Sequence, residues 1–380
     1  MYKAAVVIFA APLFLAGTAS AKPTYQSTAP IAYMVDLSSG AVLLDKGSAQ
    51  KIPPASMAKM MTAYVVMDQI KRKKLALSKK ITVSAEIWQQ WNNQGSTMFL
   101  TAGEQVTVEN LLHGVVTLSG NDASVALAVG VSGSEEAFVA EMNLTAKRLG
   151  MKNSRFGNPN GWPDEGRTVV TARDLAVLAR RTIEDFPELY AQFYGLKEFT
   201  WGGITQPDRN PLIGNVEGGD GLKTGHTEEA GYCFTGSAIQ NGRRLLMVVA
   251  GLDSFGGRIT ESSNFMNWGF TAWTSKPIFN KGDAIATIPV QLGSASSIAL
   301  TAPRNMRVTM PAGQDGPYKL FVRYNGPVKA PLAKGDIVAN LVVKLADGSE
   351  QISPLYAPSD IAEAGFFGRA WNGLKSIFGA

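Results

Sequence analysis

The sequence predicts an α/β domain followed by a small all-β domain and an amphipathic terminal helix. Three observations predict it. Strand and helix signals alternate from residue 30 to about 275. Over 276–358 the helical signal stops, and short β-rich runs follow one another between Gly, Pro and Asp. Over 359–380 apolar residues recur at helical spacing. With 45% apolar and 18% charged residues, the chain can bury a core and is not of disordered composition.

The first element stands outside the fold. Lys3 gives a basic start, Ala4 to Gly17 is an apolar run broken by Pro12, and Ala19-Ser20-Ala21 offers small residues for cleavage. This is the layout of a secretory signal peptide over 1–21, cut after Ala21. The run is shorter than the roughly 20 residues that span a bilayer, which weakens the alternative of a membrane anchor.

Within 30–275, Ala32–Asp36 and Ala41–Asp45 read as two strands of a hairpin, joined by Leu37-Ser38-Ser39-Gly40. Pro53-Pro54 precede an expected helix over Ala55–Ile70. Further helices are expected over Glu109–Thr117 and Asp122–Val129, and over Thr171–Ile183 with Thr171 as N-cap. Tyr232–Ile239 and Leu245–Gly251 read as strands. Strands on either side of a helical stretch predict a sheet that pairs N- and C-terminal strands.

The β-rich runs of 276–358 are Ile285–Val290, Ser297–Thr301, Arg307–Met310, Lys319–Tyr324 and Ile337–Val343. In the last segment Ile361, Phe366, Phe367, Ala370, Trp371, Leu374, Ile377 and Phe378 follow helical spacing, with Arg369, Asn372, Lys375 and Ser376 on the other side. Such a helix suits a membrane interface or docking on the protein itself.

Charge and reactive side chains exclude several functions. The net charge is +5; removing Lys3 with the leader leaves +4. The one dense basic run, Lys71-Arg72-Lys73-Lys74, reads as a solvated helix end, and no basic-aromatic interleaving points to nucleic acid. Cys233 is the single cysteine, so no intrachain disulfide forms, and it is expected as a small core residue. Two histidines and one cysteine cannot build a His/Cys zinc site. Neither a metal nor a cofactor is expected.

Three short motifs can carry chemistry. Ser56 and Lys59 stand three apart at a helix start and share a face, so a neutral lysine can take the serine proton. A second copy, Ser48–Lys51, runs into Pro53-Pro54 and has no helical face to share. Ser119 and Asn121, between two helical stretches, place a hydroxyl and an amide that can relay a proton or hold a carbonyl. Lys223-Thr224-Gly225, followed by His226, precedes an apolar strand. There it can bind a carboxylate and let a backbone approach. Each motif alone is weak: Ser-x-x-Lys occurs by chance, Ser119-Gly120-Asn121 is more often a turn with a helix cap, and Lys223-Thr224-Gly225 also reads as an ordinary turn.

The ordered set Ser-x-x-Lys, Ser-x-Asn, Lys-Thr-Gly is the signature of serine β-lactamases and penicillin-binding proteins. Pro54-Ala55-Ser56-Met57-Ala58-Lys59, Leu118-Ser119-Gly120-Asn121-Asp122-Ala123 and Asp220-Gly221-Leu222-Lys223-Thr224-Gly225-His226-Thr227 closely resemble the D-alanyl-D-alanine carboxypeptidases. These are low-molecular-mass, class C type-5 penicillin-binding proteins. The resemblance covers nearly the whole chain, the β domain and tail Gly365-Phe366-Phe367-Gly368 included.

It implies a penicillin-binding-protein-like catalytic domain over 30–275. It implies Ser56 as the acylated nucleophile, Lys59 as general base, and Ser119 and Asn121 completing the proton network. Lys223, Thr224, Gly225 and His226 would bind substrate, with the backbone N–H groups of Ser56 and His226 as oxyanion hole. Arg258 matches a family arginine near the substrate carboxylate, and Arg209 matches a second less closely. The implied partners are peptidoglycan pentapeptide stems, β-lactam antibiotics and a membrane surface. The implied location is the periplasm, at the outer face of the cytoplasmic membrane.

Rival functions leave weaker marks. A class A β-lactamase would carry a Glu-x-x-Leu-Asn run, which is absent; Glu165 lacks that context. A D,D-endopeptidase is poorly separated by sequence. A non-catalytic binder of cell-wall peptides conflicts with the competent residue at every motif position. His113, in Leu111-Leu112-His113-Gly114, is expected to pack and not to act as a base.

Overall fold

The computed structural model describes residues 22–365. The chain divides into two compact units: a larger one of Tyr25–Val35 and Leu43–Phe270, and a smaller one that takes in Asp36–Val42 and the chain from Thr271.

The larger unit follows its hydrophobic pattern. Strands β1 (Ile31–Asp36) and β2 (Ala41–Lys46) lead to a 3-10 turn, Ala55–Ala58, and helix α1 (Lys59–Lys71). A small hairpin, β3 (Lys80–Thr82) with β4 (Gln105–Thr107), brackets α2 (Ala85–Trp91). Helices α3 (Val108–Val116), α4 (Asn121–Ser132), α5 (Glu135–Leu149), α6 (Ala172–Asp185) and α7 (Pro187–Phe193) follow. Then come hairpin β5 (Glu198–Trp201) and β6 (Ile204–Pro207), strands β7 (Gly219–Thr227), β8 (Gly231–Gln240) and β9 (Arg243–Leu252), and α8 (Phe255–Thr271). The five-stranded sheet has the order β2-β1-β9-β8-β7, so N- and C-terminal strands do pair, and β7 lies at an edge.

Two helices are buried on every side. Every residue of α1 from Lys59 to Met67 is buried, and so is every residue of α4 from Asn121 to Ala128. A helix with no polar face belongs inside a core. These two helices carry Lys59 and Asn121. By contrast α6 is amphipathic, burying Leu175, Leu178 and Ala179, and Thr171 caps it by accepting the N–H of Asp174.

The smaller unit is all-β. Its strands are β10 (Trp273–Phe279), β11 (Ala284–Gln291), β12 (Ser297–Thr301), β13 (Met306–Pro311), β14 (Tyr318–Arg323), β15 (Val328–Lys329), β16 (Ile337–Leu345) and β17 (Glu350–Tyr356). β10 pairs with β13; β11 with β12 and β15; β16 with β14 and β17. The alternation of buried and exposed residues along β12 gives one face to a core that holds Ile288, Leu300, Val322, Leu341 and Leu355.

One expectation is corrected here. The terminal helix over 359–380 does not begin at Ser359. Ile361 forms a bridge with Leu332, Glu363 forms one with Gly293, and Ile361 is buried in the β core. The pairing takes the apolar residue that helical spacing had assigned to a membrane face. The rest of that segment, like the leader over 1–21, lies outside the described residues.

Candidate active site

The expected helix over Ala55–Ile70 is in fact a 3-10 turn that runs into an α-helix at Lys59. The difference matters. Three residues per turn eclipse positions i and i+3, so Ser56 and Lys59 align more closely than on an α-helix. Lys59 Nζ lies 2.9 Å from Ser56 Oγ.

Lys59 is 1% exposed. Its amine also donates to Asn121 Oδ1 at 2.8 Å and to the Asn160 carbonyl at 2.6 Å. Those two partners can only accept, whereas the serine hydroxyl can donate. A neutral amine has two N–H groups and one lone pair, which match these three partners in number and kind. Electrostatics agree. Burial, then the charges of Lys223 and Arg209, hold Lys59 well below the usual ammonium range; Asp122 opposes them.

The Asn160 carbonyl reaches Lys59 because Gly161 lies against the nucleophile turn. A Cβ on Gly161, whose φ is +74°, would stand 1.8 Å from the Ala55 carbonyl oxygen. Asn158 Oδ1 accepts the Gly161 N–H at 2.6 Å and sets this loop.

Ser119 is buried and has a φ of +62°, an unusual conformation for a serine and one that clusters at functional sites. Ser119 and Asn121 line one cleft of about 390 Å³ with Ser56, Arg209, Thr224, Gly225, His226 and Arg258. Trp162, Tyr232 and Phe255 also line it.

Lys223, Thr224, Gly225 and His226 lie within the edge strand β7, ahead of the apolar strand β8 as the sequence suggested. Lys223 is buried behind the cleft wall, and its Nζ donates to the Thr224 carbonyl at 3.2 Å. Burial lowers its pKa, and the Asp208 carboxylate opposes that. Gly225 permits a close approach, but to the protein itself: a Cβ there would stand 2.8 Å from the Pro54 carbonyl oxygen. His226 is exposed and stacks on Tyr232, with ring centroids 3.9 Å apart.

Arg258, on α8, is 2% exposed. Its guanidinium lies over the rings of Phe255 and Tyr232, at 5.1 and 5.5 Å, and Nη1 donates to the Gly225 carbonyl at 3.3 Å. Among the described residues its Nε has no partner. Arg209 donates to Ser96 Oγ at 2.6 Å on the cleft wall.

The residues set aside by sequence are structural. Ser48 Oγ accepts from Arg173 Nε at 2.7 Å, and Lys51 is exposed. Burial pushes the Cys233 thiol up to about 11, which suits a core residue. His113 packs between Phe193 and Phe199. The sequence reading missed Asn160, Trp162 and Asp208. Asn160 acts through its backbone carbonyl, which no side-chain motif reports; Asn158-Pro159-Asn160-Gly161 signals only a turn.

Comparisons with known proteins agree with this geometry. The family model for D-alanyl-D-alanine carboxypeptidase matches residues 16–254, and that for the penicillin-binding protein 5 C-terminal domain matches 273–363. D-alanyl-D-alanine carboxypeptidase DacC of Escherichia coli is 37% identical over 98% of this chain and 93% of its own. Penicillin-binding protein 5 of Haemophilus influenzae has a solved structure that superposes with a TM-score of 0.73 at 35% identity, over 90% of this chain and 99% of that one. Penicillin-binding protein D2 of Listeria monocytogenes, solved in its cefotaxime-bound form, superposes with a TM-score of 0.59 at 29% identity, over 66% and 100%.

Proposed function

The chain belongs to the D-alanyl-D-alanine carboxypeptidase family and is a serine D,D-carboxypeptidase, and from that premise we propose how its residues divide the work. Ser56 is the nucleophile and Lys59 the base. The Lys59 lone pair takes the hydroxyl proton as Ser56 Oγ attacks the carbonyl of the penultimate D-alanine. The oxyanion is held by the backbone N–H groups of Ser56 and His226. The proton passes to the leaving amine through the Lys59, Ser119 and Asn121 network, and D-alanine departs. The ester on Ser56 is then hydrolysed by water, which returns the hydroxyl. A β-lactam enters by the same first step; its ring opens, and the acyl group stays on Ser56.

Substrate binding follows from the cleft wall. Arg258 and Lys223 supply positive charge for the terminal carboxylate, and the unpartnered Nε of Arg258 is a buried donor that a ligand oxygen would satisfy. Thr224 and His226 line the path of an extended peptide along β7, and Gly225 keeps that strand against the nucleophile turn.

The observation that carries this reading is the Lys59 amine, which has one partner able to donate and two able only to accept. Intact-mass spectrometry with penicillin, on the wild type and Ser56→Ala, tests it alongside D-alanine release from a pentapeptide. A slowly lost adduct on the wild type alone, with D-alanine released, is expected. No adduct and no release would leave a non-catalytic peptide binder. Faster cleavage of cross-linked dimers than of pentapeptide would make the enzyme an endopeptidase.

The relatives are bacterial cell-wall penicillin-binding proteins. We place this chain in the periplasm, exported by residues 1–21 and held at the outer face of the cytoplasmic membrane by its C-terminal residues. Phe366, Phe367, Trp371, Leu374, Ile377 and Phe378 support that anchor by their spacing. Truncation after Gly365 is expected to release the enzyme from membranes, and retention there would refute the anchor.

A further inference from the structure

The turn that carries Ser119 and Asn121 is braced by a carboxylate that has no role in the reaction above. Asp122 is 4% exposed. Its Oδ1 accepts the N–H groups of Met98 and Ala123, both at 2.8 Å, and its Oδ2 accepts those of Met98 at 3.0 Å and Leu100 at 3.1 Å. Burial raises the Asp122 pKa from its ordinary value, and the accepted N–H groups of Met98, Leu100 and Ala123 oppose that. Since every contact is an accepted N–H, the ionised carboxylate is the form that fits the geometry.

Asn121 grips the earlier part of the same segment. Its backbone N–H donates to the Ser96 carbonyl at 2.7 Å, and its Nδ2 donates to the Gln94 carbonyl at 2.9 Å. Residues 94–100 contain no helix or strand that would fix them. The Asp122 carboxylate and the Asn121 amide and backbone N–H hold them to the start of α4, while Arg209 and Gln206 hold Ser96 and Thr97 from the other side.

The Gln94 contact decides which end of the Asn121 amide faces Lys59. With Nδ2 on the Gln94 carbonyl, Oδ1 is left for the lysine amine. If the segment drifted, the amide could rotate and present an N–H to that amine. Two donors would then oppose each other, and the Lys59 lone pair would lose its aim at Ser56.

We propose that Asp122 is a positioning residue for the acylation step: it pins Met98 and Leu100, the pinned segment fixes the Asn121 amide, and the amide orients Lys59. This inference rests on Lys59 being the base. It also has an electrostatic side. The charges that act on Lys59 are Lys223 on β7, Arg209 ahead of that strand, and Asp122 on α4. Ser56, Asn121 and the Asn160 carbonyl, which touch the amine, are uncharged. The two cations favour the neutral amine, and Asp122 alone of the three favours the ammonium. Removing its charge lowers the pKa of Lys59.

The test is Asp122→Asn in the full-length protein, read as the rate of acylation by penicillin across pH. Asparagine keeps the shape but turns an N–H toward donors that need an acceptor. Acylation at the optimum is expected to fall about tenfold to a hundredfold, the scale of a small misplacement of reacting groups. The acid limb of the profile is expected to move to lower pH. Ser124→Ala loosens the same turn without changing charge, because the Ser124 hydroxyl donates to the Gly120 carbonyl at 2.7 Å. Its acid limb should stay in place. A D122N enzyme with wild-type rate and an unmoved limb overturns the proposal.

Amide hydrogen exchange on the wild-type protein gives a second test that needs no variant to fold. The Met98 and Leu100 amides should be protected as strongly as those inside α4. Exchange at the speed of an exposed loop would overturn the clamp. If Lys59 is not the base, neither variant moves the limb while the amides stay protected, so failure of the clamp and failure of the mechanism give different results.

Discussion

The two units differ in whether they bury basic side chains. In the smaller unit the buried polar cluster of Asp36, Thr309 and Gln351 is matched within itself. Asp36 Oδ1 accepts the Ser38 N–H at 2.9 Å, and Thr309 Oγ1 lies 2.7 Å from Asp36 Oδ2. The Thr309 N–H donates to Gln351 Oε1 at 2.9 Å, and the Gln351 amide donates back to the Thr309 carbonyl. Among the described residues, no lysine or arginine of that unit is buried. The larger unit buries Lys59, Lys223 and Arg258, with two amines pushed toward neutrality and a guanidinium N–H without a partner. Satisfied pairs hold a fold together. Under-compensated buried charge clusters at functional sites, which is why these residues are the candidates.

The sharpest way to break this contrast is Lys59→Met. Losing the base should lower D-alanine release by about 10²–10⁴-fold. Thermal unfolding, followed by calorimetry, should occur at the same temperature or higher, because an apolar side chain replaces an amine buried at a cost. A clear drop in the midpoint would mean that the amine stabilises the fold after all.

The converse substitution is Thr309→Val in the smaller unit. It strips a donor from the Asp36 carboxylate and should destabilise by about 1–3 kcal/mol, measured as a shift in denaturant midpoint. Acylation by penicillin should keep its wild-type rate. A loss of rate would refute the separation of roles.

The finest test uses pH. On the proposed mechanism Lys59 works when neutral, so acylation falls as pH drops through its pKa. The Lys223 charge holds that pKa down. In Lys223→Met the Lys59 pKa should therefore rise, and the acid limb of the acylation profile should move to higher pH. A limb that moved to lower pH, or stayed, would remove Lys223 from the account.

Much of the site was legible because its chemistry sits in side chains at fixed spacing. Ser56 with Lys59, Ser119 with Asn121, and Lys223 to His226 name themselves by type and order. What escaped acts through the backbone or through charge at a distance: the Asn160 carbonyl, the 94–100 segment, and Asp208 opposite Lys223. The fold class was legible from periodicity, but prolines hid two strands. Pro277 interrupts β10 and Pro354 interrupts β17, and proline argues against a strand. Residues 359–365 erred the other way. Ile361 fits a helical period by position, yet a single apolar residue fits a β bridge equally well.

Strand β7 ends its sheet, and an unpaired edge invites a neighbour. The reaction requires that opening, yet a protein with a bare edge is exposed to pairing with its own copies. The same open edge therefore governs self-association as well as substrate entry.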